Sequence, residues 1–221
     1  MKIAIDGPSG AGKSTFAKLL AKEMSLVYVD TGALYRSIGL YVRRNEADPK
    51  NPDEVIPLLS DISLELRYSE AGQRVILNGE DVSDDIRTPE ISMYASAVSA
   101  IPDVRKFLLK IQRDMVERGD VVMDGRDIGT VIMPDADVKF FMVATPEVRA
   151  KRRYEELTEK GVSCNYDDIL ADIIERDKND SGRDIAPAIP AEDAIHFDNS
   201  DMGIDETLAK MVEIINEKVK K

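Results

Sequence analysis

Residues 7–15, GPSGAGKST, follow directly on the apolar run Ile3, Ala4 and Ile5. Gly7, four intervening residues, then Gly12-Lys13-Ser14 is the spacing of a phosphate-binding loop. In such a loop successive backbone N–H groups cradle polyphosphate oxygens, Lys13 adds a point charge, and the Ser14 hydroxyl can ligate magnesium. Small residues also make plain turns, but this motif requires a strand before it and a helix after it. Both are foreshadowed. Phe16, Leu19, Leu20 and Met24 recur at helical spacing, so Lys13 to Met24 is expected to form an amphipathic helix. Its N-terminus would turn a partial positive charge toward the glycine loop.

Other chemistry-bearing groups stand where apolar runs end. Asp6-Gly7 closes the first run, Asp30-Thr31-Gly32 follows Leu26 to Val29, and Asp124-Gly125-Arg126-Asp127 follows Val121 to Met123. Arg36 and Arg126 come soon after strand ends, and Arg149, Arg152 and Arg153 recur at i, i+3 and i+4. Arg176 and Arg183 flank the acidic stretch RDKNDSGR. In a chain of formal net charge −12, these seven arginines point to a site for more than one phosphate group. Taken one at a time, each could equally be a solvated helix residue in a salt bridge of little worth. His196 is the sole histidine and sits inside the apolar run Ala194 to Phe197, so it reads as a core or edge imidazole rather than a base. Phosphoryl transfer to a phosphate needs no such base, because a nucleoside monophosphate is already largely dianionic near neutral pH. An alcohol acceptor would call for a carboxylate, and Asp30 or Asp127 could serve.

The elements that must position these groups follow from patterning. Buried β-rich runs at 3–5, 26–29, 121–123, 138–143 and 194–197 alternate with helical stretches, notably Pro102 to Arg118 and Pro146 to Lys160. That alternation predicts an α/β fold with a parallel sheet covered on both faces, and functional groups at the carboxyl ends of its strands. In LELRYSEAGQRVILNGEDV, residues 64–82, alternating side chains and the turn signals Glu70-Ala71-Gly72 and Asn78-Gly79 predict a small antiparallel sheet inserted in that core. The preceding NEADPKNPDEV reads as a polar connector. A hydrophobic content of 43% over 221 residues suffices for a sizeable core. The acidic balance argues against nucleic acid as a partner. Cys164 is the only cysteine, which excludes an intrachain disulfide and a cysteine zinc cluster. With neither a signal-peptide pattern nor an 18-residue apolar run, the chain is expected to be soluble and cytoplasmic, without a membrane partner.

The stretches GPSGAGKST, DTGALYR, LNGEDVSDDIRTPE, ASAVSAIPDVR, DGRDIGTVIMPDADVK, RRYEEL and IIERDKNDSGRDIAP occur in an order that resembles the bacterial cytidylate kinases, relatives of adenylate kinase. Many families share the phosphate loop; DGRDIGTV and RDxxDxxR with the β insertion are more specific. The resemblance implies a P-loop kinase core with a five-stranded parallel sheet flanked by helices, a small antiparallel β insertion and a helical lid. It implies a single domain over 1–221, with a nucleoside-monophosphate-binding insertion at about 45–95 and the lid at about 149–183. The implied reaction moves the γ-phosphoryl group of ATP, with Mg2+, onto CMP or dCMP in a monomeric enzyme. Gly7, Pro8, Ser9, Gly10, Ala11, Gly12, Lys13, Ser14 and Thr15 would bind ATP, with Lys13 catalytic and Ser14 meeting the metal. Arg36, Arg126 and Arg183 would hold the acceptor phosphate. Ser96, Arg105 and Asp127 would read cytosine, Arg176 and Asp180 would meet the sugar, and Arg153 would reach ATP from the lid. Arg126 and Asp127 would share in catalysis. Thr31, also placed at the substrate, stands where some members carry serine and keeps the hydroxyl. Ordinary structural roles remain open for several of these: ASAVSA also reads as a small-residue packing stripe, Arg105 as a surface helix residue, and Asp127 and Asp180 as caps or turn residues.

Two other activities fit the loop. A kinase of the shikimate kinase type, phosphorylating a small alcohol, would share the core, although the 64–82 insertion and the paired arginines of RDKNDSGR weigh against it. A GTPase switch would need an Asn-Lys-x-Asp motif to read guanine; none is present, and DKND at 177–180 has the wrong order.

Overall fold

The apolar runs that end in carboxylates become neighbouring strands of one sheet. A computed structural model describes residues 1–69, 72–117, 119–183 and 185–220. The chain runs β1 (Lys2–Asp6), α1 (Lys13–Met24), β2 (Val27–Asp30), α2 (Thr31–Arg44), α3 (Pro52–Leu58), β3 (Leu64–Ser69), β4 (Gly72–Leu77) and β5 (Glu80–Asp81). It continues with α4 (Pro89–Val98), α5 (Pro102–Val116), β6 (Val121–Asp124), β7 (Val138–Val143), α6 (Pro146–Glu159), α7 (Tyr166–Ser181), β8 (Ile195–Asp198) and α8 (Ile204–Val219). Five strands form a sheet in the order β2-β6-β1-β7-β8, as the alternation of runs and helices predicts. β1 pairs in parallel with β6 and β7, and β7 in parallel with β8. Ile5 on β1 lies level with Asp124 on β6 and Phe140 on β7, so β1 and β6 end within one residue of each other while β7 runs on to Val143.

The chain divides into two compact units, Met1–Tyr28 with Gly119–Lys221, and Val29–Arg118. In the first, β1 is the hydrophobic centre: Ile3, Ala4 and Ile5 are completely buried. Phe16, Ala17 and Leu20 of α1 cluster with Ile3, Val122, Phe140 and Met142. The Phe140 and Phe197 rings meet edge to face, with centroids 5.8 Å apart. Burying so many apolar side chains at roughly 1.5–3 kcal/mol each fixes the platform on which the glycine loop stands. His196 lies exposed on the edge strand β8, its ring 5.7 Å from that of Phe141.

In the second unit β3, β4 and β5 form the expected antiparallel sheet, with Asn78 at φ 50° and Gly79 at φ 86° in its second turn. Glu70 and Ala71 of the first expected turn lie outside the described residues, as does Arg118 at the end of the expected 102–118 helix. The connector reading of 45–55 is corrected, because α3 begins inside it at Pro52. The signals were present: the Asn51 side chain accepts the Asp53 N–H, Pro52 opens the helix, and Asp53 and Glu54 fill its first turn.

Helices α2 and α4 pack closely because Gly39 lets them. A Cβ placed on Gly39 would stand 2.9 Å from the Ala95 backbone nitrogen and 3.0 Å from the Tyr94 Cβ. Gly39→Ala is therefore expected to lower stability by about 1–3 kcal/mol through overpacking, against the helix-propensity gain of alanine. Urea unfolding of the variant checks this, and an unchanged or raised stability would show that the two helices separate freely.

Candidate functional site

The glycine loop sits between β1 and α1, with backbone geometry that only its sequence allows. Gly7 has φ 141°, and a Cβ there would stand 2.0 Å from the Met142 carbonyl oxygen, so the chain can leave β1 beside β7 only through glycine. Gly12 precedes α1, whose N-terminus carries no side-chain cap, and its first-turn N–H groups face the loop. Lys13 is 5% exposed, and its Nζ donates to the Pro8 carbonyl at 2.6 Å. Burial pushes the Lys13 ammonium well below its ordinary range; Arg126 and Arg176 push the same way, and the carboxylates of Asp124 and Asp6 oppose them.

Two strand-end carboxylates organise the loops around this cation. Asp124 accepts from Ser14 Oγ at 2.7 Å and from the Tyr28 hydroxyl at 2.8 Å. Asp6 accepts the N–H groups of Ile128 and Gly129 at 2.8 and 2.7 Å, gripping the start of a π-helical turn over Ile128–Ile132. That grip fixes the segment carrying Arg126 and Asp127, and Asp127 itself is 5% exposed. Arg126 Nε donates to Asp180 Oδ2 at 2.8 Å, and Arg183 donates to the other oxygen of the same carboxylate. Burial pushes the Asp180 carboxyl up, but the guanidiniums of Arg126 and Arg183 outweigh it and hold the group below the usual carboxylate range. Arg176 reaches the Ser9 hydroxyl at 3.3 Å. Within this unit, then, Lys13, Ser14, Arg126, Arg176, Asp180 and Arg183 are linked to the glycine loop or to one another.

The expected arginine face on α6 divides. Arg149 is 2% exposed and bonded to protein groups throughout, and Arg152 donates to the Asn199 side chain and carbonyl. Arg153, half-buried like Arg152, pairs with Glu156 one turn on.

The 29–118 unit carries the remaining predicted residues. Thr31 is buried as the first residue of α2, whose N-cap Asp30 accepts the Ala33 N–H at 2.9 Å. The same Asp30 carboxylate pairs with Arg36 at 3.0 Å and Arg87 at 3.1 Å. Arg105 lies over the Tyr35 ring at 5.6 Å and donates to the Ser99 carbonyl at 3.1 Å. Ala95 and Val98 supply the buried stripe of α4, while Ser96, one residue off that line, is half-buried.

Sequence reasoning left out several residues that the geometry brings forward. Asp124 was legible only as an acid at a strand end; its Ser14 partner is 110 residues away. Arg87, which shares the Asp30 carboxylate with Arg36, had no local signal.

The cytidylate kinase family model matches residues 3–217. A cytidylate kinase from Fervidobacterium nodosum is 49% identical over 217 residues, spanning 98% of this chain and 97% of that protein. One from Caldicellulosiruptor saccharolyticus is 47% identical over 214 residues, spanning 97% and 95%. Among solved structures, an uncharacterized protein from Eubacterium ventriosum aligns with a TM-score of 0.53 at 15% identity, covering 98% of both chains, a likeness of fold alone.

Asp6 gives the site a pH signature. Burial raises its carboxyl to about 6, against the lowering effect of the Gly129 and Ile128 N–H groups; Asp127 raises it further and Lys13 lowers it. Because the folded value lies above the unfolded one, the contribution of this group to stability is full below the unfolded pKa and is lost as pH rises through about 6. Between pH 5 and 7.5 the stability of the natural chain relative to Asp6→Asn should therefore fall by roughly 1–2 kcal/mol. Denaturant unfolding of both at the two pH values measures this, and a pH-independent difference would contradict the assignment.

Proposed function

We infer that this chain, which belongs to the cytidylate kinase family, transfers the γ-phosphoryl group of ATP to CMP or dCMP, giving ADP with CDP or dCDP. The observation that carries this reading is the near-complete match to cytidylate kinases at 44–49% identity. It favours a nucleotide acceptor over the alcohol acceptor of a shikimate-type kinase and over a GTPase switch.

The chemistry we assign to the residues is positioning and charge neutralisation. Residues 7–15 hold the ATP phosphates on backbone N–H groups, and Lys13 neutralises charge as the phosphoryl group moves. Ser14 and Asp124, whose oxygens lie 2.7 Å apart, are hard donors of the kind Mg2+ takes, and they would hold it, directly or through water. When bound, that ion neutralises charge on the donor phosphates. Arg36, Arg126 and Arg183 bind the acceptor phosphate, whose second ionisation makes a general base unnecessary. Arg176 and Asp180 take the sugar, Thr31 and Ser96 line the acceptor, and Arg153 reaches ATP from a lid over about 149–183. That lid and the insertion over about 45–95 belong, in this reading, to one kinase domain that excludes water around the transferring phosphate. The net charge of −12 favours small anionic substrates held in a local basic pocket over nucleic acid. Among the described residues no helix is long and apolar enough to cross a membrane. We assign the enzyme a cytoplasmic, monomeric state on the family resemblance.

Base choice is the sharpest consequence. Cytosine offers an N4 amino donor beside its N3 and O2 acceptors, which suits a carboxylate at Asp127 and a guanidinium at Arg105. Uracil reverses the pattern, and each buried group left unpaired costs roughly 1–3 kcal/mol. CMP should exceed UMP by about 10²-fold or more in kcat/KM at saturating ATP, and Arg105→Met should shrink that ratio more than it weakens ATP. A panel of CMP, dCMP, UMP and AMP tests the reading. Phosphorylation of no pyrimidine nucleotide would overturn the function, and equal values for CMP and UMP would overturn Arg105 and Asp127 as base readers.

A further inference from the structure

The RDxxDxxR stretch contains one acid to which the functional reading gives no task. Asp177, on α7, binds both terminal nitrogens of the Arg149 guanidinium on α6, at 3.0 and 2.5 Å. The rest of that guanidinium is also committed: Nε donates to the Ala144 carbonyl at 2.8 Å, and one terminal nitrogen donates to the Ser9 carbonyl at 2.9 Å. One buried fork thus joins the end of β7, the tip of the phosphate loop and α7. Arginine can do this because its planar donors are fixed relative to one another, whereas a lysine ammonium is a single point.

The bond to Ser9 bears on phosphate binding through peptide geometry. A trans peptide points its C=O and N–H in opposite directions, so holding the Ser9 carbonyl on Arg149 aims the Gly10 N–H the other way. That N–H belongs to the run of amides that cradles polyphosphate. The loop tip is also close to α6, since a Cβ on Gly10 would lie 3.2 Å from the Arg149 Cβ. Arg176, the neighbour of Asp177, holds the Ser9 hydroxyl.

We propose that Arg149 and Asp177 are a positioning pair for the donor nucleotide: Asp177 fixes the Arg149 fork, and Arg149 fixes the Ser9–Gly10 peptide of the phosphate loop. The proposal rests on the reading of residues 7–15 as the ATP site. Arg149→Lys keeps the charge and loses the fork, and Asp177→Asn keeps the shape and loses the charge, so both variants and their combination can be compared with the natural chain. The readouts are the dissociation constant of an unhydrolysable ATP analogue, that of CMP alone, kcat and KM for each substrate, and the thermal midpoint. Each single change should weaken the analogue and raise the ATP KM by about 10-fold or more, while CMP alone moves less than about 3-fold. The double variant should be no worse than the worse single one, because the two residues act as a unit. Effects that multiply in the double variant would overturn the proposal. So would equal weakening of CMP and ATP, a harmless Asp177→Asn beside a damaging Arg149→Lys, or a lowered midpoint with ATP parameters intact. Failure of the natural chain to phosphorylate CMP would strike the function alone, since analogue binding tests the pair without an acceptor.

Discussion

The burial of the Lys13 ammonium beside further positive charge is the constraint around which the first unit is arranged. A cation taken out of water needs compensation, and Lys13 receives one short bond to a carbonyl and the fields of Asp124 and Asp6, against the fields of Arg126 and Arg176. These cations gather in a chain that is strongly acidic overall. In the function we propose, an incoming polyphosphate would bring negative charge to the Lys13 ammonium. Asp6 is buried in its own right, which raises its carboxyl although two amides are bonded to it and Lys13 is near.

Holding these charges in place requires a rigid platform. β1 is buried through its whole apolar length, and β6 ends within one residue of it, so Asp6 and Asp124 stand together at the carboxyl ends of neighbouring strands. α1 is locked onto that sheet by Phe16, Ala17 and Leu20, which sets the direction of its uncapped N-terminus. The many ion pairs in the other unit, such as Arg74 with Asp81 and Asp84 or Arg44 with Glu80, are largely exposed and add little. The short-range apolar packing provides the stiffness, and the buried carboxylates convert it into loop geometry.

Local pattern made part of this legible from the sequence. The 3.6-residue recurrence of Phe16, Leu20 and Met24 delimits α1 as observed, and Asn78-Gly79 marks the second turn of the antiparallel sheet. The phosphate loop is a local motif, and its glycines meet the backbone constraints that the motif implies. What pattern could not supply are partnerships across long stretches of chain. Arg149 was counted with Arg153 by helical spacing, yet one is buried against Ser9, 140 residues away, and the other is half-buried and paired with Glu156 on its own helix. Asp6 finds its amides 122 and 123 residues on. Even α3 was hidden by polarity, although its cap and its proline were in plain view.

In the function we propose, Lys13 serves the moving phosphoryl group rather than the fold. Single-turnover transfer from ATP to CMP by Lys13→Ala, with thermal unfolding followed on the same sample, tests it most directly. The variant should stay folded, with a transfer step slower by about 10²-fold or more. Transfer at close to the natural rate would contradict it.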